Sequence, residues 1–150
     1  MRSTTLVLAL ALVIIVPLWP QGDMNQSPED DPVSYIGLTL TELIGRFGVP
    51  RSVYPSRGPE EWQDDVVFVY EQGDFYILKD RVWQVSLKAA RGIKAGDSMG
   101  TVYLTLGSKA ESRFNSVYCT LDEGSWPMML RFDFNSEGRV QVIFIYRTDL

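Results

Sequence analysis

The sequence predicts an α+β fold in which two tandem repeats, each a short helix followed by a β-meander, form one curved antiparallel sheet with both helices packed on one face. Two observations support this prediction. The chain repeats itself at a spacing of about 59 residues. Each repeat also begins with a helix start signal and continues into segments that alternate apolar and polar residues. We expect the repeats to occupy 35–91 and 92–150.

The first 20 residues have the pattern of a targeting segment. Arg2 precedes an uninterrupted apolar run at 6–16, as in the n-region and h-region of a secretory signal. Because no cleavage site is well defined, two alternatives stay open: a cleaved signal peptide, or an uncleaved signal anchor that tethers the protein to the inner membrane through 4–19. Both predict export, to the periplasm or beyond the cell. Residues 21–34 are acidic and proline-rich, and are predicted to be a disordered linker.

Each repeat opens with a short amphipathic helix. In the first repeat, Thr39 is the predicted N-cap, Glu42 completes a capping box, and Gly48 ends the helix. The corresponding signals in the second repeat are Asp97 or Ser98 as the cap and Gly107 as the stop.

Each helix is followed by segments with the period of β-strands. The alternation is clearest at 128–134, where apolar residues occupy every second position. One sheet face is therefore expected to be buried and the other to be free for a partner. The predicted strands are 66–70, 75–78 and 81–87 in the first repeat, and 116–120, 128–134 and 140–146 in the second.

The composition excludes several kinds of chemistry. The chain has no histidine and one cysteine, Cys119, so it cannot form a Ser-His or Cys-His nucleophile, an intramolecular disulfide or a Cys-based zinc site. With 14 basic and 19 acidic residues and no basic run, nucleic acid is not an expected partner. We predict a protein that is not an enzyme and has no catalytic residue, cofactor or metal. Cys119 is expected to be a small buried hydrophobic residue.

Aromatic residues are the strongest candidates for binding, because Trp and Tyr dominate interface hot spots. Trp83 is predicted to lie in the core, since it shares the strand parity of Val85. Trp62 and Trp126 lie in predicted polar loops, where an interface role and core packing both remain open. The predicted partner-binding residues are Trp62, Tyr76, Gln84, Trp126, Arg131 and Asp133.

Four acidic residues resemble a cation site, but a solvated loop is the favoured explanation. Carboxylates can bind cations or serve as acid–base pairs, yet this group falls in a predicted loop, so a solvated loop before a strand is favoured. The residues, which flank Trp62, are Glu60, Glu61, Asp64 and Asp65.

The repeated motifs are similar to the β-lactamase-inhibitor-like (BLIP-like) fold over residues 36–146. That group includes secreted inhibitors built of two such units and the BamE/SmpA outer-membrane assembly lipoproteins built of one. The resemblance implies protein recognition through a sheet surface and loops, without catalysis. The chain lacks the disulfides of the inhibitors and the lipid-bearing cysteine of the lipoproteins. The motifs that carry the resemblance are Gly37-x-Thr39 with Arg81-Val82, and Gly96-x-Ser98 with Arg139-Val140.

These features together predict an exported, non-enzymatic protein-binding module of the cell envelope. It would recognise an envelope-associated protein of unknown identity through the free sheet face and loops, in an outer-membrane assembly or inhibitor-like role. The alternative is a periplasmic carrier that holds a small apolar or lipid ligand between the sheet and its helices.

Overall fold

A computed structural model describes residues 31–57 and 65–150. The predicted targeting segment, most of the predicted linker, and Trp62 lie outside these residues. Among the described residues, no helix is long and apolar enough to cross a membrane. The helices are α1 (Leu40–Phe47) and α2 (Met99–Leu106), and the strands are β1 (Ser52–Ser56), β2 (Asp65–Val69), β3 (Gly73–Leu78), β4 (Arg81–Leu87), β5 (Ala89–Ala90), β6 (Ile93–Lys94), β7 (Glu111–Arg113), β8 (Ser116–Leu121), β9 (Met128–Phe134) and β10 (Val140–Arg147).

Eight of the strands form one antiparallel sheet in the order β1-β2-β3-β4-β10-β9-β8-β7. β4 and β10 pair at its centre, from Ile143↔Leu87 to Tyr146↔Gln84, and so join the strands of the first half of the chain to those of the second. β5 and β6 form a separate short hairpin. The described residues therefore have the predicted α+β class, with a large antiparallel sheet and few helices.

The predicted caps of both helices are confirmed. In α1, the Thr39 side chain accepts a hydrogen bond from the Glu42 backbone N–H at 3.2 Å, and Glu42 Oε2 accepts one from the Thr39 N–H at 2.8 Å. These two bonds satisfy backbone donors that the first helical turn leaves without partners. In α2, Ser98 Oγ accepts from the Thr101 N–H at 3.1 Å. Gly107 follows the last residue of this helix with φ +59°.

The core lies between the two helices and one face of the sheet. Leu43 of α1 and Val102 of α2 are fully buried and belong to one hydrophobic cluster with alternate residues of the strands. The residues that the eight-stranded sheet contributes to this cluster are Phe75, Val82, Val85, Leu87, Val117, Cys119, Leu121, Met128, Leu130, Phe132, Phe134, Val140, Ile143 and Ile145. Because a strand turns successive side chains to opposite faces, the residues between these face the side of the sheet that has no helix.

The two edge strands, β1 and β7, are not among the strands that the sequence predicts. Pro55 lies within β1, which is tolerated because an edge strand leaves part of its backbone unpaired. Every residue of β7 is exposed, and so are all but the last of β1. Neither segment therefore shows the alternation of apolar and polar residues by which the inner strands are identified. Each half of the chain contributes four strands to the sheet, where three were predicted.

The last four residues of the predicted linker, 31–34, are among those that the structure describes. Pro32–Tyr35 form a 3-10 turn, and Asp31 Oδ1 accepts a hydrogen bond from the Val33 N–H at 3.1 Å. The turn brings Tyr35 into the core, where it is 5% exposed. Residues 31–34 are thus part of the fold and not of the disordered linker to which they were assigned.

Candidate functional site: the helix-free sheet face

The side of the sheet opposite α1 and α2 is called here the helix-free face. Strand register places its side chains in two neighbouring rows that cross the sheet. The first row holds Tyr54, Val67, Tyr76, Gln84, Tyr146 and Met129, and the second holds Asp74, Ser86, Phe144, Arg131 and Tyr118.

Four of the six predicted binding residues lie on this face. Tyr76 and Gln84 are directly paired across β3 and β4. Arg131 and Asp133 lie two residues apart on β9, on the other side of the central β4–β10 pair. The predicted strand parity is correct for all four, while their role in binding stays a prediction.

Arg131 is held in place by aromatic and acidic neighbours. Its guanidinium lies 4.4 Å from the ring centroid of Phe144 and 5.8 Å from that of Tyr146, a cation–π arrangement. Its Nε lies 3.1 Å from Asp133 Oδ1, and Ser116 Oγ donates a hydrogen bond to the same oxygen at 2.6 Å. A long side chain fixed in this way loses little further freedom when a partner binds.

Trp83 lies on the helix-free face, so its predicted place in the core is wrong. Tyr76 pairs with Gln84 whereas Ile77 pairs with Val82, which leaves Trp83 as the extra residue of a β-bulge. A bulge reverses the parity of the residues beyond it, which is why Trp83 no longer follows Val85. Its indole Nε1 donates a hydrogen bond to Asp65 Oδ1 at 3.0 Å.

A cavity of about 500 Å³ opens on the helix-free face where β4 meets β10. We call it the seam cavity. Its position at the junction means that strands of both halves of the chain contribute to its walls. The lining residues are Ser56, Arg57, Asp65, Tyr76, Leu78, Trp83, Gln84, Tyr146, Arg147, Thr148 and Leu150.

The tyrosines around the seam cavity are held in their protonated form. Burial raises the pKa of Tyr76, the charges of Asp74 and Asp65 raise it further, and Arg131 acts in the opposite direction. Burial also raises the pKa of Tyr146. At neutral pH both phenols therefore remain neutral hydrogen-bond donors.

Trp126 lies away from the helix-free face. Its half-buried ring packs against the hydrophobic cluster, and the guanidinium of Arg147 stacks 3.7 Å from its centroid. It also lies so close to Gly37 that a Cβ added there would collide with its indole nitrogen. The sequence left both core packing and an interface role open for Trp126. These contacts agree with core packing.

The other chemical candidates are placed as follows. Cys119 is 5% exposed, and burial raises the pKa of its thiol, so the expectation of a buried hydrophobic residue is confirmed. Asp65, from the acidic group, is buried at the start of β2; Glu60, Glu61 and Asp64 lie outside the described residues. Within 31–57 and 65–150, no three potential ligands cluster as a metal site would require.

Several residues of the face were not predicted. Phe144 and Tyr146 share one parity on β10 and could have been assigned from the alternation at 140–146. Trp83 and Tyr54 could not have been assigned in this way. A β-bulge displaces Trp83, and Tyr54 lies on an edge strand that was not predicted.

Comparisons with known proteins show the fold alone. No protein-family model matches the chain, and no curated protein matches its sequence significantly. A solved extracellular protein containing an SCP domain, from Bacillus anthracis, is similar with a TM-score of 0.54 and 13% identity, over 87% of this chain and 50% of that protein. A DUF4309 family protein (YjgB) from Bacillus subtilis aligns with a TM-score of 0.44 and 14% identity, over 73% of this chain and 78% of that one. This chain spans about half the length of the SCP-domain protein.

Proposed function

We propose that the protein is an exported, non-enzymatic protein-binding module of the cell envelope that recognises its partner with the helix-free face. The observation that carries the proposal is the composition of this face. It presents Tyr, Trp, Phe and Arg side chains across the centre of an eight-stranded sheet, on the side without helices. Trp, Tyr and Arg are the residues enriched in interface hot spots.

The face also has the rigidity that a recognition surface requires. Arg131 is fixed by Phe144 and Asp133, and Trp83 is fixed by its hydrogen bond to Asp65. Ordered aromatic and charged groups bind with a smaller entropic cost than mobile ones. Val67, which pairs with Tyr54 and Tyr76 in the sheet, is fully buried on this side.

The proposal includes a tandem repeat of the BLIP-like type. Gly37 N–H donates to the Val82 carbonyl at 2.8 Å, and Gly96 N–H donates to the Val140 carbonyl at 2.8 Å. Each valine in turn donates to the carbonyl of the residue that follows the matching glycine, at 2.8 and 2.9 Å. A matched set of long-range bonds at the start of each helix supports two copies of one unit, as the sequence motifs predict.

Export is supported by the targeting pattern of the first 20 residues and agrees with the description of the SCP-domain neighbour as extracellular.

The carrier alternative has less support. The layer between the helices and the sheet is occupied by fully buried side chains, among them Leu43, Val102, Phe75 and Phe132. A ligand held there would have to displace them.

The test is in-cell crosslinking in the source organism, followed by affinity capture and mass spectrometry of the envelope fraction. Ser86 lies on the helix-free face, between Asp74 and Phe144 in the sheet. Ser86→Arg should abolish capture of the partner by placing a bulky charge in the interface. Leu104→Arg is the matched control, because it adds the same side chain at an 88% exposed position of α2. Equal capture by both variants would refute the proposal.

A further inference from the structure

We propose that the helix-free face binds a proline-rich segment of the partner protein in the polyproline II conformation, and that the seam cavity receives proline rings of this segment. The inference rests on the proposed function, because it names the kind of segment that the face recognises.

Tyrosines recur at every second strand along the first row of the helix-free face. Tyr54, Tyr76 and Tyr146 lie on β1, β3 and β10, with Val67 between the first two and Gln84 between the last two. Neighbouring strands are about 4.8 Å apart, so the backbone positions of successive tyrosines are about 9.6 Å apart. A polyproline II helix repeats every three residues, or about 9.3 Å. A segment in this conformation that crosses the strands can therefore present an equivalent residue to each tyrosine.

The walls of the seam cavity are aromatic. Tyr76, Tyr146 and Trp83 line it, and the Trp83 ring is held by its hydrogen bond to Asp65. Proline-rich segments dock in grooves with aromatic walls, because the polyproline II conformation is formed before binding and little entropy is lost. The volume of about 500 Å³ is within the range of ligand-binding cavities.

The polar groups that the fold leaves unused in the cavity are neutral donors. Tyr76, Tyr146 and Gln84 line it, and their side chains take part in no hydrogen bond between residues that the structure describes. Burial raises the pKa of both phenols, so they stay protonated at neutral pH. Each phenol donates one hydrogen bond and the amide donates two. A proline-rich segment suits these groups, because it presents carbonyl acceptors and its prolines have no backbone N–H that would need an acceptor in return.

The charges in the cavity walls are of both signs, which favours a neutral ligand. Arg57 and Arg147 line the cavity together with Asp65. Arg147 donates from Nε and an Nη to Asp149 at 2.9 Å, and Asp65 accepts the hydrogen bond of the Trp83 indole. A ligand with a net charge of either sign would meet a like charge here. A run of prolines carries no charge and avoids this repulsion.

The test uses the full chain and an NMR titration that follows the indole N–H of Trp83, which lines the cavity. The probe is capped hexaproline, which is about 19 Å long in the polyproline II conformation and so matches the span of about 19 Å from Tyr54 to Tyr146. The control peptide is a capped Gly-Ser hexamer, which keeps the length and the carbonyls and lacks the rings. Hexaproline should shift the Trp83 signal with a Kd of about 1 mM or tighter, and the Gly-Ser peptide should bind at least about tenfold more weakly, or about 1.4 kcal/mol.

Variants then locate the contact. Tyr146→Phe keeps the ring and removes the phenol donor, so it should weaken hexaproline binding by about fivefold, as expected for the loss of one hydrogen bond. Tyr118→Phe is the matched control, because it makes the same change on the helix-free face at a residue that does not line the cavity. Tyr54→Ala removes a 42% exposed ring from the far end of the row and should also weaken binding by about fivefold. Phe114→Ala, which removes an exposed ring from the β7–β8 turn, is its control.

Four results would overturn the inference: no shift with hexaproline, equal binding of the Gly-Ser peptide, equal weakening by a variant and its control, or a response to a chitin tetrasaccharide in place of hexaproline. The last result would assign the cavity to a glycan. Failure of hexaproline while Ser86→Arg still abolishes capture would refute the proline-rich ligand alone. Retained capture by Ser86→Arg would refute the proposed function, even if hexaproline binds.

Discussion

At the scale of single residues, Trp83 and Trp126 show how little residue type alone decides. Trp83 was predicted to be in the core and lies on the helix-free face, because one bulge reverses its parity. Trp126 was a candidate for the interface and packs against the core under the guanidinium of Arg147. Trp83 lies in an alternating strand segment of the sequence and Trp126 in a polar loop, and the register of the strands and the position of Gly37 decide where each side chain lies.

Trp126→Ala should therefore lower the free energy of unfolding by about 1–3 kcal/mol, because it removes a half-buried ring and leaves Arg147 without its stacking partner. Urea denaturation measures this change. Trp126→Phe keeps a ring at the position and is the matched control, with a smaller loss. Capture of the partner should be retained in both variants. Lost capture with unchanged stability would return Trp126 to the interface.

At the scale of elements, the sequence predicts a helix whose end signals are local in the chain and strands that have one buried face. The helix α1 is recognisable because Thr39, Glu42 and Gly48 mark its ends. The inner strands are recognisable because burial of one face imposes alternation on them. The edge strands β1 and β7 are not, since their residues are almost all exposed and their pairing depends on partners distant in sequence. For the same reason Tyr54 could not be placed in the candidate site.

The capping box of α1 should make stability depend on pH in a defined direction. Hydrogen bonds from the Thr39 N–H and hydroxyl lower the pKa of Glu42 below its usual 4.5. A carboxyl with a lowered pKa in the folded state stabilises the fold above its unfolded pKa, and that contribution is lost as the pH falls through the folded value.

Glu42→Gln should accordingly be less stable than the wild type at neutral pH, because a charged acceptor makes the stronger hydrogen bonds. Urea denaturation at a series of pH values should show this difference disappearing in acid. Glu137→Gln, at an exposed position in the β9–β10 turn, is the control and should track the wild type. A difference for Glu42→Gln that is the same at every pH would contradict the role of its charge.

At the scale of the whole molecule, the two halves share one core. The hydrophobic cluster contains Leu43 and Phe75 of the first half together with Val102, Leu130 and Ile143 of the second. The central pairing of β4 with β10 makes the sheet continuous across the junction. A half of about 60 residues would bury too little apolar surface to be more than marginally stable alone. The seam cavity, which both halves line, therefore depends on their remaining folded together.

We expect the two halves to unfold as one cooperative unit. Leu130 is fully buried on β9, and Leu130→Ala should lower global stability by about 2–5 kcal/mol. Hydrogen exchange measured by mass spectrometry should then show the same loss of protection in β2 and β3 of the first half as in β8 and β9 of the second, because amides protected only by global unfolding report one free energy. Leu104→Ala, at an exposed position of α2, is the control and should change protection by no more than about 0.5 kcal/mol. Protection in β2 and β3 that survives Leu130→Ala unchanged would show that the halves fold independently, and the seam cavity could then be opened by separating them.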